Sequence, residues 1–224
     1  MYIPKANLEE EWEQAEFLIK NYPLATVITS TEEEGIIGNH FPFFLKIDKE
    51  TGKKYLHAHI ARVNHQIPSL KAADKVLVIF QSTNSYITPN YYPTKQETHK
   101  FVPTWDFAST HIYGKAEVLD DSTFIRQQID DLTNQQEAGK EDAWKVSDAP
   151  ENYLKLKQKA IVGLRIEILT THTKFKFEQG SNRKEVDGVI EGLAKDNLHE
   201  MSELTKSANE RYDVKKAALK AASS

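Results

Sequence analysis

Residues 81–107 combine six aromatic side chains and three prolines with polar side chains that can form hydrogen bonds. The aromatic residues are Tyr86, Tyr91, Tyr92, Phe101, Trp105 and Phe107, and the interleaved polar residues include Gln81, Ser85, Lys95, His99, Lys100 and Thr104. Flat apolar walls with a few placed polar groups are typical of a site for a flat ligand with polar edges. The alternative is a proline-rich loop with surface aromatics, because much of any protein surface is apolar. The stretch is therefore a candidate ligand wall.

Cationic groups that could bind an anion occur beside this stretch and at a predicted strand end. Arg62 presents a planar fork that fits phosphate or carboxylate, and Asn64 can add a donor. The alternative for Arg62 is a surface salt bridge, with Asn64 as a turn residue. Lys95 and Lys100 flank the aromatic residues, and the alternative for both is an ordinary solvated lysine.

Several histidines are candidate metal ligands. His57 and His59 are two residues apart in a predicted strand, so their side chains project to one face and could bind one metal ion. No third ligand is evident nearby, which favours structural or hydrogen-bonding roles for this pair. His65, His99 and His111 lie in or near the polar loops and a strand, where a structural role is the simplest interpretation of each.

The overall composition excludes several kinds of functional site. The chain has 224 residues, a net charge of −4 and no cysteine, which excludes disulfides, thiolate metal sites and a cysteine nucleophile. Nothing in the charge balance suggests a nucleic-acid footprint. No signal peptide or membrane-spanning apolar run is visible, so we expect a soluble cytoplasmic protein. The phosphate-loop, dinucleotide-binding, nucleophile-elbow and zinc-protease signatures are absent, and whether the protein is an enzyme stays open.

Hydrophobic periodicity predicts a mixture of strands and helices. We expect helices at 8–20 with Asn7 as its cap, near 122–137 with Asp121 as its cap, from 147–151 onward, at 181–195 and after 196. We expect strands at 25–30, 36–47, 55–62, 75–81 and 104–119, and a hairpin from 162–168 and 173–178. The last stretch, 215–224, is expected to fray or to be disordered.

These elements predict an α+β, mainly β architecture. Many strands joined by short turns, with a few flanking helices, suggest a β-barrel decorated by helices. We expect one barrel domain over residues 1–195, followed by a C-terminal helical extension or flexible tail over 196–224.

Several segments carry a family resemblance. They are MYIP (1–4), YPLATVITS (22–30), GNHFPF (38–43), HIARVN (59–64), SYITPNYYPTK (85–95), KFVPTWDF (100–107), AWKVSDAPENY (143–153), KAIVGLRIEI (159–168) and DGVIEGL (187–193). In this order they resemble the PaiB-like family of "FMN-binding negative transcriptional regulators", over residues 1–195. The elements VPTW and VSDAP are the most specific marks. The net acidity argues against direct DNA binding.

The resemblance implies an FMN-binding split β-barrel that forms a homodimer with its ligand cleft at the subunit interface. It implies cofactor contacts from three segments: the loop after the Arg62 strand, residues 81–87 and residues 100–105. The candidate cofactor-binding residues are Arg62, Asn64, His65, Gln81, Ser85, Tyr86, Ile87, Lys100, Thr104 and Trp105. His65 stands where the family usually has a proline, and Ile67 stands where it usually has a tryptophan.

Two other functions stay open beside flavin binding. Related split barrels include HugZ-type haem-degrading proteins, and a neutral histidine nitrogen is a normal axial ligand of haem iron. His65 is the leading candidate ligand, His99 and His111 are reserves, and Arg62 and Lys100 could pair with the propionates. The third possibility is a cofactor-free regulatory or protein-interaction module that uses the terminal helix. The sequence leaves the cofactor open between FMN and haem.

Overall fold

The computed structural model describes residues 1–222. Seven α-helices occur in this part of the chain: α1 (Trp12–Asn21), α2 (Ile67–Ala72), α3 (Lys95–Thr98), α4 (Ser122–Glu137), α5 (Glu151–Gln158), α6 (Arg183–Lys195) and α7 (His199–Ala222). The strands are β1 (Leu8–Glu9), β2 (Leu24–Thr31), β3 (Gly35–Pro42), β4 (Phe44–Ile47), β5 (Lys54–Ala61), β6 (Val76–Ile87), β7 (Thr104–Leu119) and β8 (Ile161–Lys176). Short 3-10 helices lie at Lys5–Asn7, Pro89–Tyr91 and Val146–Asp148. None of the helices described is both long and apolar enough to cross a membrane.

The strands form one eight-stranded sheet. Its order is β3-β2-β6-β7-β8-β5-β4, and the short β1 pairs with β8. The pairs of β2 with β3 and β6, and of β5 with β4 and β8, are antiparallel. This sheet with its flanking helices confirms the predicted α+β, mainly β architecture.

The chain divides into two compact units. The first unit comprises residues 1–11, 81–109 and the described part of 173–224, and the second unit comprises 12–80 and 110–172. In the first unit, α6 and α7 bury Val186, Val189, Leu193 and Met201 together with Phe175 of β8 and Phe177, which follows that strand. In the second unit, Leu18 and Ile19 of α1, Phe43, and Leu56 of β5 are fully buried. Strands β6, β7 and β8 contribute residues to both units.

Elements with strong local signals follow the sequence prediction. The Asp121 carboxylate caps α4 by accepting hydrogen bonds from the backbone N–H groups of Thr123 (2.8 Å) and Phe124 (3.2 Å). Strand β7 has the predicted bounds, and β5 alternates buried and less buried residues as its sequence indicates. Helix α6 begins at Arg183, where Asn182 caps it through the Lys184 N–H.

The prediction of a helix from residue 8 was wrong, because Leu8 and Glu9 form a strand and α1 begins only at Trp12. Leu8 pairs with Lys174 and Glu9 with Thr173. The buried Glu9 carboxylate accepts hydrogen bonds from Arg211 Nε (3.1 Å) and Lys215 Nζ. These partners lie far along the chain, so no local pattern around Asn7 could indicate them.

Three further boundaries differ from the predictions. The strand expected at 36–47 is divided into β3 and β4 at Phe43, whose buried N–H bonds the Pro23 carbonyl oxygen instead. The expected hairpin at 162–178 is the single strand β8, since residues 169–172 contain neither glycine nor proline and include two β-branched threonines. Residues 215–222 were expected to fray, yet they continue α7; the remainder of that stretch lies outside the described residues.

Candidate functional site

The outward side of the first unit carries an exposed aromatic surface, which we call the aromatic face. It is formed by Asn84 and Tyr86 of β6, Trp105 and Phe107 of β7, and Lys174 of β8. Trp105 is 51% exposed and Tyr86 is 48% exposed. Their ring centroids are 6.2 Å apart in an edge-to-face arrangement, which is a favourable geometry for an aromatic pair. Large exposed aromatic side chains grouped in this way mark a binding surface.

The rings of the aromatic face are held in place by polar contacts. Trp105 Nε1 donates a hydrogen bond of 2.9 Å to Asn84 Oδ1. The Lys176 ammonium donates to Thr104 Oγ1 (2.6 Å), to the Trp105 carbonyl oxygen (2.8 Å) and to Asp106 Oδ1 (3.2 Å). An ammonium has three donors, and these three acceptors use all of them. Lys176 thereby fixes the backbone at the start of β7, where Trp105 projects outward.

A buried acidic group lies on the inner side of the same strand. Asp106 is fully buried, and its second oxygen, Oδ2, has no hydrogen-bond partner. Burial and the neighbouring Glu178 carboxylate raise the pKa of Asp106 to about 7, although Lys176 opposes the rise. The Glu178 carboxylate in turn accepts a hydrogen bond of 3.0 Å from the Tyr92 hydroxyl. Burial and Glu178 also raise the Tyr92 pKa, so this phenol stays protonated at neutral pH.

The remaining aromatic residues of 81–107 pack inside the first unit. Tyr92 stacks on Phe101 with centroids 4.6 Å apart, and Tyr91 donates a hydrogen bond of 2.5 Å to Asp196. The Tyr91 ring lies against Gly192 of α6, where any Cβ would overlap it. Both readings of the stretch therefore apply to different residues. Tyr86, Trp105 and Phe107 form an outward wall, whereas Tyr91, Tyr92 and Phe101 anchor the connecting segment.

The other predicted site residues of the first unit differ in their exposure and contacts. Gln81 and Lys100 are exposed, and the half-exposed Ser85 donates its hydroxyl to the Tyr86 carbonyl oxygen at 3.1 Å. Ile87 is fully buried, so only its backbone could meet a ligand. His99 is exposed and takes a left-handed backbone conformation (φ 51°) at the end of α3.

Arg62, Asn64, His65 and His111 belong to the second unit. The Arg62 guanidinium binds both oxygens of Asp120 (2.7 and 2.8 Å) and the carbonyl oxygens of Lys159 and Ile161. Its arrangement is thus the surface salt bridge that the sequence left as the alternative. Asn64 Oδ1 accepts the backbone N–H of Gln66, and His65 is exposed. Burial lowers the pKa of the half-buried His111 imidazole.

A groove of about 680 Å³ in the second unit is a second candidate site. Its lining residues include Arg62, Asp120, Arg126, Glu151 and Lys155. Arg62 is paired with Asp120, and Arg126 lies 3.3 Å from Glu151 and 3.4 Å from Asp130. Because its arginines are already neutralised by carboxylates, this groove offers a ligand less than the aromatic face does.

The pair His57 and His59 is occupied by structural contacts. The His57 ring packs on Phe124 of α4 with centroids 4.8 Å apart. His59 Nδ1 shares a hydrogen bond of 2.7 Å with Gln128 Oε1. Across residues 1–222, no group of three or more histidine, cysteine or acidic side chains is arranged to hold a metal ion. The structural interpretation of the pair is favoured.

Comparison with known proteins identifies the family. Residues 1–170 match the family described as "Putative FMN-binding domain". The chain belongs to this family. An uncharacterized protein of Aspergillus fumigatus is 31% identical over 96% of this chain and 99% of its own length. The protease synthase and sporulation protein PAI 2 of Bacillus subtilis is 29% identical over 91% of this chain and 96% of its own length.

A solved structure supports the fold assignment. The FAD and heme binding protein from Mycobacterium smegmatis superimposes with a TM-score of 0.57 at 14% identity, covering 81% of this chain and 79% of that chain. At this identity the likeness shows the fold alone. The family match and the likeness confirm the PaiB-like resemblance and the split β-barrel fold with flanking helices.

Sequence reasoning missed three polar residues that build or support the aromatic face: Asn84, Lys174 and Lys176. Asn84 lies within the stretch already singled out, but only its hydrogen bond with Trp105 reveals it. Phe107, which the sequence did indicate, is joined to the face by its contact with Lys174. Lys174 and Lys176 alternate with the buried Phe175 and Phe177 at the end of β8 and just after it. That alternation is visible in the sequence and indicates that one face of the strand is polar. It does not show which aromatic residues the lysines contact.

Proposed function

We propose that this member of the FMN-binding domain family binds FMN, with the isoalloxazine ring lying against the aromatic face of the first unit. The observation that carries the proposal is the exposed Trp105–Tyr86 pair, whose orientation is fixed before any ligand arrives by Asn84 and Lys176. A preorganised wall spares the ligand the cost of ordering these side chains on binding. Apolar ring faces satisfy the flat part of a flavin, and neighbouring polar groups satisfy its edge.

The polar edge of the proposed site comes from the same unit. The exposed Gln81 and Lys100 are the side chains proposed for it. Ser85 lies between Asn84 and Tyr86 in β6, so its side chain projects to the opposite face of the strand and only its backbone can contribute. Thr104 serves indirectly, because its hydroxyl accepts a hydrogen bond from Lys176. A bound flavin would supply redox chemistry, while these residues bind and orient it. The flavin proposal draws on residues of the first unit alone.

Replacing Trp105 with alanine should weaken FMN binding about tenfold or more, because the ring surface that stacks on the flavin is lost; aromatic pairs contribute ~0.5–1.5 kcal/mol beyond burial of their area. The measurement is titration of FMN with protein, followed by quenching of flavin fluorescence. Trp144→Ala is the matched control, since Trp144 is 46% exposed and belongs to the second unit. Equal affinities of wild type and Trp105→Ala would count against the aromatic face as the flavin site.

Haem is the second candidate cofactor, and a specific observation favours it. The exposed His65 imidazole makes no hydrogen bond or ion pair among residues 1–222, so it is free to bind iron. The same purified protein distinguishes the cofactors: a Soret band on addition of hemin, lost in His65→Ala and kept in His99→Ala, supports haem. FMN quenching with no such band supports flavin.

We also propose a homodimer, as the family resemblance implies. The exposed aromatic face offers apolar surface that a second copy could partly cover, together with a bound cofactor. Light scattering on the purified protein at micromolar concentration should give about twice the chain mass of 25.6 kDa. A mass equal to one chain, with or without FMN, would contradict the dimer and leave the flavin proposal to its own test.

A further inference from the structure

Two lysines of β8 lie beside the aromatic face, and they differ in how their charges are satisfied. Lys176 lies 3.2 Å from an oxygen of the buried Asp106 carboxyl group and has two further acceptors. Lys174 forms no ion pair with any of the residues that the structure describes. The face therefore carries one cation whose charge has no counter-ion.

The position of Lys174 is defined by its contact with an aromatic ring. Its Nζ lies 5.2 Å from the ring centroid of Phe107, within the range of a cation–π interaction. Lys174 lies directly opposite Leu8 of β1 in the sheet register, which fixes the base of its side chain. Its ammonium thus stands at the aromatic surface rather than at an arbitrary place in solvent.

The electrostatic surroundings of Lys174 favour an anionic neighbour. Burial and the nearby positive charge of Lys176 lower the Lys174 pKa, which means that these surroundings disfavour its charged form. A dianionic phosphate beside the ammonium would reverse that effect, because an opposite charge stabilises the protonated lysine. The flexible stem and compact charge of lysine suit a phosphate that approaches from the solvent side.

We propose that Lys174 is a specificity-determining residue that binds the phosphate of FMN and so selects the phosphorylated flavin over riboflavin. This inference rests on the proposed function, since it requires the flavin ring to lie on the aromatic face. It assigns the ring to Trp105 and Tyr86, and the phosphate to Lys174. The alternative role for Lys174 is simple packing on Phe107, in which case its charge is irrelevant to the ligand.

The test compares FMN with riboflavin, which has the same ring and no phosphate. Wild type should bind FMN more tightly than riboflavin, and Lys174→Gln should reduce FMN affinity about tenfold while leaving riboflavin affinity unchanged. Lys174→Arg should retain the preference for FMN. Lys206→Gln is the matched control, because it removes the same charge from an exposed position on α7 of the same unit. Thermal unfolding of each variant checks that it is folded.

The possible outcomes separate this inference from the flavin proposal. Suppose that wild type and Lys174→Gln both bind FMN and riboflavin, and that the ratio of the two affinities is the same in both proteins. That result would overturn the role of Lys174 and leave flavin binding intact. Failure of wild type to bind either flavin would overturn the proposed function and, with it, this inference. Inorganic phosphate should compete with FMN and not with riboflavin, and competition with neither would show that no phosphate site exists. If Lys174→Gln does not fold, Lys174→Met takes its place, because it keeps an apolar side chain beside Phe107 and removes the charge; an unchanged preference for FMN over riboflavin in that variant would overturn the role of Lys174.

Discussion

Replacing Asp106 with asparagine is expected to remove a proton-linked loss of stability of about 4 kcal/mol between pH 4 and pH 8. The pKa of Asp106 is raised from 3.8 to about 7 in the folded protein, by burial and by Glu178 and despite Lys176. Between these two values the folded state retains a proton that the unfolded state has released. The contribution of Asp106 to the free energy of unfolding is therefore greatest below pH 4 and falls as the pH rises towards 7.

Asparagine keeps an acceptor for the Lys176 ammonium and cannot titrate, so the comparison isolates the proton. Urea unfolding at pH 4, 5.5, 7 and 8 should show Asp106→Asn becoming progressively more stable relative to wild type as the pH rises. Fluorescence of the adjacent Trp105 reports the same unit. Asp142→Asn, at an exposed loop position, is the control and should show no such trend. A stability difference between Asp106→Asn and wild type that is constant across this range would contradict the prediction.

The parts of the fold that the sequence predicted are those determined by neighbouring residues. The Asp121 cap and the alternation of β5 depend on contacts a few residues apart or on period-two patterning. Strand β1 depends instead on Lys174 and Thr173, which meet Leu8 and Glu9 only in the folded chain. A helical pattern at residues 8–20 was overridden by that distant pairing, which local propensity does not register.

The candidate site shows the same division. Composition left residues 81–107 open between a ligand wall and a proline-rich loop with surface aromatics, and the exposed pair of Tyr86 and Trp105 is consistent with the first expectation. The composition of the stretch could not show that these two side chains are exposed while Tyr91 and Tyr92 are packed. The Tyr91 ring lies against α6, and the Tyr92 hydroxyl donates a hydrogen bond to Glu178. That distinction requires knowing which segments pack beneath the stretch.

Replacing His57 with phenylalanine should remove a loss of stability under acid conditions. Burial, followed by the positive charges of Arg165 and Lys46, lowers the pKa of His57 from 6.5 to about 4, and Asp131 only partly opposes this. Between pH 6.5 and about 4, His57 is therefore protonated in the unfolded state and remains neutral in the folded state. The stability from His57 is fully present above pH 6.5 and is lost as the pH falls to about 4.

The size of this effect is limited because His57 is only partly buried. The slope cannot exceed about 1.4 kcal/mol per pH unit, and solvent screening reduces it further. Phenylalanine keeps an aromatic ring against Phe124 and removes the buried Nε2, which has no hydrogen-bond partner. Urea unfolding should show His57→Phe gaining stability over wild type as the pH falls from 7 to 4. His199→Gln, at an exposed position on α7, is the control and should stay parallel to wild type.

Asp106 and His57 act in the same pH window with opposite signs. As the pH falls from 7 to 4, the buried acid gains stability for the folded state and the buried imidazole loses it. The wild-type profile should therefore be flatter than that of either variant: Asp106→Asn should expose the acid sensitivity of His57, and His57→Phe should expose the alkaline sensitivity of Asp106. A double variant that is as flat as wild type, with single variants that slope in opposite directions, would establish that two separate titrations balance. Single variants whose stabilities, each taken relative to wild type, slope in the same direction would contradict one of the two assignments, and the sign of the slope tells which.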